Sequence, residues 1–295
     1  MGAALPSLAM IGAILLWGSS ATAGKLVLDM VSVPEIVAFR ILGGAAVLWS
    51  AGLIMRRKFR LNSPVPILMG ILEPGLVTFF IVLGLFYTSA VNAAVVWGIM
   101  PLTQPILARL ILGEPIKPVV VVGAVLAIGG TALLFYAKHQ AGTGNLLGDF
   151  YLVVGVLCAC ANQMLARRMA TTQRAPVVTT AYQLLSASVL ALIFLFAVTT
   201  PTEAYQGIDG FHYGLLCFLV LCTAGPFFLY NFALQFMSVG HISLFTPLSG
   251  PIGVLLAALV FNEPVDWVIV TAIVLALAGA FMPTMVALIG TKPRA

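Results

Sequence analysis

Charge is what this sequence has least of. Its 295 residues include 14 Lys and Arg and 9 Asp and Glu, so charged side chains make up 8% of the chain. A soluble domain carries about 25%. Histidine and cysteine are also sparse. His139, His212 and His241 stand near the ends of apolar segments, and Cys158, Cys160, Cys217 and Cys222 lie within them. Cys158 and Cys160 are two apart, so on a helix they face different directions. No histidine stands at ligand spacing to complete a zinc site. The cysteines read as small apolar filler, and no metal or cofactor is expected. There is no Ser–His, His–Glu–His or paired-acid constellation, so an enzyme is not expected. There is no Walker loop, which leaves nucleotide-driven pumping unsupported. No polar stretch is long enough to fold as a soluble domain, which argues against a receptor or a scaffold.

Apolar residues fill the space that charge leaves. They make up 61% of the chain, and the mean hydropathy is +1.12. This composition predicts an all-α integral membrane protein that lies almost wholly in the bilayer. A spanning helix needs about 20 mostly apolar residues. Ten candidate spans run roughly over 5–27, 34–55, 65–84, 89–111, 117–136, 147–168, 176–198, 211–234, 239–261 and 267–289. The apolar run from Leu5 to Leu16, followed by Ala21-Thr22-Ala23, has the outline of a cleaved signal. A secretory signal needs a positive n-region, and no Lys or Arg precedes Lys25. The segment therefore reads as a retained first span.

The cations set the orientation. Arg56, Arg57, Lys58, Arg60, Lys117, Arg167, Arg168, Arg174, Lys292 and Arg294 all fall on one side of a ten-span chain, which the positive-inside rule makes the cytoplasm. Asp29, Glu35, Asp149, Glu203, Asp209, Glu263 and Asp266 fall on the other, with Lys138 the basic exception. Both termini are expected in the cytoplasm, and the location is a bacterial-type plasma (inner) membrane. A net charge of +5 invites a nucleic-acid reading. The basic residues are scattered over short loops and not gathered on one face, so no nucleic-acid partner is expected.

The chain also repeats itself. Gly113-Glu114-Pro115 ends span 4 and Asn262-Glu263-Pro264 ends span 9, an offset of 149 that also relates Ser89 to Ser238, Leu85 to Leu234 and Gly130 to Gly279. Trp17-Gly18-Ser19-Ser20 and Lys25 correspond to Cys160-Ala161-Asn162-Gln163 and Arg168, and Pro34 and Pro176 open spans 2 and 7. Five spans per half is an odd number, so the second half is expected upside down. Inverted repeats with broken helices are a mark of secondary transporters, whose sites lie near the midplane between the repeats.

With these motifs the chain resembles the EamA-like repeats of the drug/metabolite transporter superfamily. The resemblance rests on Leu16-Trp17-Gly18-Ser19-Ser20, Pro34 with Arg40, Tyr87-Thr88-Ser89-Ala90, Pro101 and Gly113-Glu114-Pro115. In the second half it rests on Met237-Ser238, the stretch from Pro247 to Pro251, and Asn262-Glu263-Pro264. It implies a ten-helix carrier of two inverted five-helix repeats, 1–140 and 141–295, around a central cavity. It leaves the substrate open, because the family moves amino acids, nucleotide-linked sugars, organic cations and other metabolites.

The candidate site gathers around Glu73-Pro74-Gly75 in span 3. An ionised carboxylate near the middle of a bilayer costs about 2.5–3.5 kcal/mol on insertion scales and more on others. The proline removes a backbone donor, and the glycine permits close approach. Glu73 could hold a cation or a coupling proton, which would compete for it. Otherwise it is a neutral acid bonded to backbone that Pro74 frees. The repeat-related stretch, Thr223-Ala224-Gly225-Pro226, has a helix breaker and no acid. Trp17 and Trp97 lie deeper than the interfacial belt, where Trp49 and Trp267 belong, and Tyr182 and Tyr230 accompany them. An aromatic wall beside a carboxylate suits an ammonium ion; packing between helices is the plainer alternative. Asn162 is expected to line the cavity. Gln163, Gln183, Asn231, Asn92 and Gln104 could orient a substrate or bond across helices. Arg40 is expected to snorkel or to pair with Glu35 or Asp29, with a substrate carboxylate as the lesser alternative. Glu114 and Glu263 read as helix-end and gate elements. Pro74, Gly75, Pro101, Pro247 and Pro251 are the expected hinges, with Pro105, Gly98 and Gly250 beside them.

The expected activity is secondary transport by alternating access of a small amphipathic or cationic metabolite, such as an amino acid, an amine or a choline-like ammonium, coupled to protons through Glu73. The alternatives are export of neutral or anionic metabolites and uncoupled facilitation. The expected partners are the small-molecule substrate, the lipid bilayer and protons, and the assembly is a monomer or a homodimer.

Overall fold

The computed structural model describes residues 4–28, 30–88, 96–138, 145–198, 208–261 and 267–290. Among them there are only helices and turns. In chain order they are α1 (Ala4–Lys25), α2 (Val33–Ile54), α3 (Val65–Gly70), a kinked segment (Ile71–Leu76), α4 (Val77–Tyr87), α5 (Met100–Leu112) and α6 (Pro118–Lys138). Then follow α7 (Leu146–Thr172), α8 (Pro176–Val198), α9 (Gly210–Ala233), α10 (Val239–Ile242), a 3₁₀ turn (Thr246–Leu248), α11 (Ser249–Phe261) and α12 (Trp267–Gly290).

Among the described residues seven stretches are long and apolar enough to cross a bilayer, including Val65–Tyr87 and Val239–Phe261 taken whole. Three shorter apolar helices, Met100–Leu112, Pro118–Leu133 and Trp267–Met282, join them. The outer surface agrees with this: Ile54, Phe86, Phe196, Leu259 and Trp267 are each more than three-quarters exposed. In water such a surface would aggregate; against lipid tails it costs nothing. The chain is a multi-pass membrane protein. Trp267, at the start of α12, is exposed, whereas Trp49 stacks on Phe59 at 4.1 Å between centroids and meets Tyr182 edge-on.

Helix ends follow from local chemistry. Ser32 donates from its backbone N–H and its hydroxyl to Glu35 Oε2 at 2.8 and 2.6 Å, at the entry to α2. Asp209 caps α9 by accepting from Phe211 and His212 N–H. α5 stops at Gly113, whose φ of 71° is open to glycine with little strain. Helix contact depends on small residues. Of all the helix pairs, α6 and α12 meet most extensively. A Cβ on Gly123 would lie 2.7 Å from the Gly279 carbonyl oxygen, and one on Gly130 2.6 Å from that of Ala272. In lipid, where tails are as apolar as leucine, such backbone approach is a main source of association. Elsewhere α1 lies against α9 and α11, α2 against α8 and α9, and α4 against α7. The largest buried apolar cluster joins Met10 and Ile14 of α1, Met69 of α3, Met164 of α7 and Phe245 ahead of the 3₁₀ turn.

The expected spans 3 and 9 are both interrupted, at 71–76 and at 243–248. Span 8 departs from expectation. Pro226 was expected to break it as Pro74 breaks span 3, yet α9 runs unbroken from Gly210 to Ala233 with Pro226 inside. A helix absorbs an internal proline when its neighbours hold the freed backbone groups, and α9 is packed by α1, α2 and α8. The break is thus as one-sided as the acid.

Candidate functional site in the membrane interior

The break at Glu73 has a simple origin. Pro74 offers no N–H, and the chain responds with a wider turn. Glu73 itself is extended, φ −144° and ψ 123°, and its bond to Pro74 is cis. The Val77 N–H reaches the carbonyls of Leu72 and Pro74, so it leaves the Glu73 carbonyl to find another donor. Gln183 of α8 supplies it, Nε2 to O, at 2.9 Å.

From there a polar network crosses three helices. Asn162 of α7 donates from Nδ2 to Glu73 Oε2 at 2.7 Å. Gln183 Nε2 also approaches Asn162 Oδ1 at 3.5 Å. Asn231 of α9 donates from Nδ2 to Gln183 Oε1 at 3.0 Å and to Thr180 Oγ1 at 2.8 Å. The Thr180 hydroxyl in turn donates to the Pro176 carbonyl at 2.8 Å. Asn162, Gln183, Asn231 and Thr180 are all buried. Their bonds to one another fix the carboxyl from behind and leave Oε1 without a partner in the network.

In front of the carboxyl is a cavity of about 280 Å³, lined by Glu73, Trp17, Trp97, Gln163, Pro101 and Pro247 among others. Trp17 meets Phe227 edge-on at 5.8 Å and lies 6.0 Å from the Tyr230 ring. The Tyr230 hydroxyl and the Gln163 side-chain amide oxygen, Oε1, are buried without partners. Among the described residues no basic side chain forms an ion pair with Glu73. The arrangement offers one acid, aromatic faces and unspent polar atoms to whatever enters.

Of the residues singled out from sequence, Glu73, Asn162, Trp17, Trp97 and Tyr230 come together. Tyr182 does not join them. Its hydroxyl donates to the Phe59 carbonyl at 3.3 Å, in the aromatic group with Trp49. Pro74 and Gly75 are buried in the turn, Pro101 and Pro247 line the cavity, and Pro251 is buried in α11. Asn92, Asp29 and Glu263 lie outside the described residues. Arg40 donates from Nε to Thr223 Oγ1 at 2.7 Å, a partner not anticipated; of its two expected acids, Glu35 accepts from Ser32 and Asp29 is outside the described residues. Thr131, Thr246 and Ser249 also line the cavity. Their only signal in the sequence is a small hydroxyl at mid-span, which is too common to single out.

Comparison with known proteins matches this architecture. The model of the EamA-like transporter family matches residues 5–136 and again 146–285. The chain is 28% identical over 232 residues to the uncharacterized transporter YyaM of Bacillus subtilis (strain 168), covering 77% of this chain and 74% of that protein. It is 22% identical over 280 residues to the uncharacterized transporter YetK of the same organism, covering 92% and 84%. A solved structure described only as a protein crystal structure superposes with a TM-score of 0.81 at 22% identity, over 97% of this chain and 99% of that one. That likeness concerns the fold alone. With apolar spans on the outside, a polar hollow within and a family match in both halves, the chain belongs to the EamA-like transporter family and is a membrane transporter.

Proposed function

We propose that this protein is a secondary transporter that carries a small amphipathic or cationic metabolite by alternating access, with the hollow in front of Glu73 as its substrate site. The observation that carries the reading is Glu73 itself. It is an acid set in a broken helix, held from behind by Asn162 and Gln183 and open on its other side to an aromatic cavity. A carboxylate so placed favours an ammonium group, and a desolvated cation over an aromatic face gains about 2 kcal/mol or more. The same acid can instead hold a proton, so proton and substrate exclude each other there, which is the basis of coupling.

A ten-helix chain of two inverted repeats, 1–140 and 141–295, supports alternating access. The offset of 149 carries Gly123 onto Ala272 and Gly130 onto Gly279. Exchanging the halves therefore turns the Gly123–Gly279 contact into the Gly130–Ala272 contact, and both are present. The pairing of α1 with α9 exchanges likewise with that of α4 with α7. We place both termini in the cytoplasm of a bacterial-type inner membrane, on the side of Arg56, Arg57 and Lys58. The break at 71–76 and the interruption at 243–248 are the hinges.

The test is uptake into proteoliposomes of choline, lysine, phenylalanine and a sugar phosphate, with and without an imposed pH gradient. A preference for the cations that is lost in Glu73→Gln supports the site. Full gradient-driven uptake by Glu73→Gln would end the coupling claim, and preference for the sugar phosphate would shift the reading to an anion carrier.

A further inference from the structure

Gln104 of α5 is wholly buried, and neither its amide oxygen nor its amide nitrogen has a hydrogen-bond partner. Among the described residues no other side chain has two buried polar atoms in that condition. Buried amides are nearly always bonded, so an exception calls for a reason. Its position supplies one. Pro101, Gln104 and Ala108 recur at spacings of three and four and share one face of α5. Pro101 lines the central cavity. Ala108, with Pro105, lines a separate hollow that also contains Glu114 and Ser238. Gln104 therefore stands between two hollows, in the wall that divides them.

That wall is fastened at the Glu114 end. Arg167 of α7 donates from Nε to Glu114 Oε1 at 2.6 Å and from Nη1 to the Leu234 carbonyl. The Val239 N–H, at the start of α10, donates to Glu114 Oε2 at 3.0 Å. One carboxylate thus ties the end of α5 to α7 and to α10. Ala108, Met237, Ile242 and Phe245 pack together above it. Glu114 and Arg167 also line a further hollow at that end, beside Phe236 and Ser238.

We propose that Gln104 is a transit contact. When the Glu114–Arg167 clasp opens, its amide faces the passage joining the two hollows and bonds to the substrate moving through. An amide both donates and accepts, so it accompanies the substrate without selecting its charge. The proposal rests on the central cavity being the substrate site.

The experiment is thiol labelling of the full chain in membrane vesicles of known sidedness, after Cys158, Cys160, Cys217 and Cys222 are changed to Ala. The probe is a charged, membrane-impermeant methanethiosulfonate reagent. Gln104→Cys should label only slowly with the clasp intact. It should label about tenfold faster or more from the Glu114 face when Arg167→Gln removes a charge-assisted bond. Thr131→Cys, in the central cavity, should label from the opposite face in both backgrounds. If Gln104→Cys stays silent with Arg167→Gln while Thr131→Cys reacts, the proposal is overturned and the cavity reading stands. Equal labelling with the clasp intact would also overturn it. A silent Thr131→Cys would bring down the cavity reading and the proposal with it. Melting of Gln104→Leu provides an independent check. Removing an unpartnered amide should hold or raise Tm, and a fall of several degrees would mean that Gln104 has structural partners and no transit role.

Discussion

The bond from Asn162 to Glu73 can be weighed by a double-mutant cycle, and its size reports what the acid carries. Asn162 Nδ2 lies 2.7 Å from Glu73 Oε2, and Asn162 is 2% exposed. Asn162→Ala removes the donor and Glu73→Leu removes the acceptor. Between neutral partners inside a membrane protein such a bond is worth about 0.6 kcal/mol, and rarely more than about 1.7. To an ionised acceptor it is worth about 1.5–3 kcal/mol. The coupling energy should therefore rise with pH as the carboxyl loses its proton, from the lower figure to the higher. Unfolding of the detergent-solubilised protein, followed by tryptophan fluorescence in each of the four variants across about pH 5 to 9, gives the coupling directly. Zero coupling at every pH would show that the two side chains do not meet. A constant value near the neutral figure would show that the acid does not ionise over that range without substrate. The cycle isolates the pair only if Gln183 keeps its bond to the Glu73 backbone, which repeating it in a Gln183→Ala background checks.

Three further outcomes follow from the geometry. Leucine at Gly123 or Gly279 would drive a side chain into the opposing backbone, which approaches to within 2.7 Å of the site of an added Cβ; overpacking of this kind costs about 1–3 kcal/mol, and melting should fall accordingly, with no recovery when both are changed together. Thr223→Val takes away the acceptor that meets Arg40 Nε at 2.7 Å, so it should lower Tm more than Thr223→Ser, which keeps the hydroxyl. Asp209 sits outside the membrane at the start of α9, and the His212 backbone N–H, the His212 side chain and the Phe211 N–H hold its carboxyl below the usual carboxylate range. A depressed carboxyl contributes stability that is present above the unfolded value of about 3.9 and lost as pH falls through the lower folded one. Acidification below about pH 4 should therefore close the Tm gap between the parent chain and Asp209→Asn, and a gap that widened would refute the assignment.

The sequence by itself determined the class, the family and the acid. A chain with 8% charge cannot cover a soluble surface, so burial in lipid was legible from composition alone. Gly113-Glu114-Pro115 and its counterpart carried the family resemblance, because their order and spacing survive without knowledge of contacts. Glu73 beside Pro74 was legible because a carboxylate at membrane depth is costly wherever its helix faces. Tertiary structure decided what such arguments cannot reach. Tyr182 and Tyr230 look alike in sequence, yet one bonds to Phe59 and the other packs on Trp17, because a side chain's neighbours depend on how its helix is rotated against others. Pro226 and Pro74 look alike too. Only the packing around α9 and the donor from Gln183 determine that one helix stays whole and the other opens. Long-range partners such as Glu114 and Arg167, or Arg40 and Thr223, are chosen by which ends of which helices meet. Periodicity along one chain carries no record of that choice, since it fixes what each helix exposes and not what it faces.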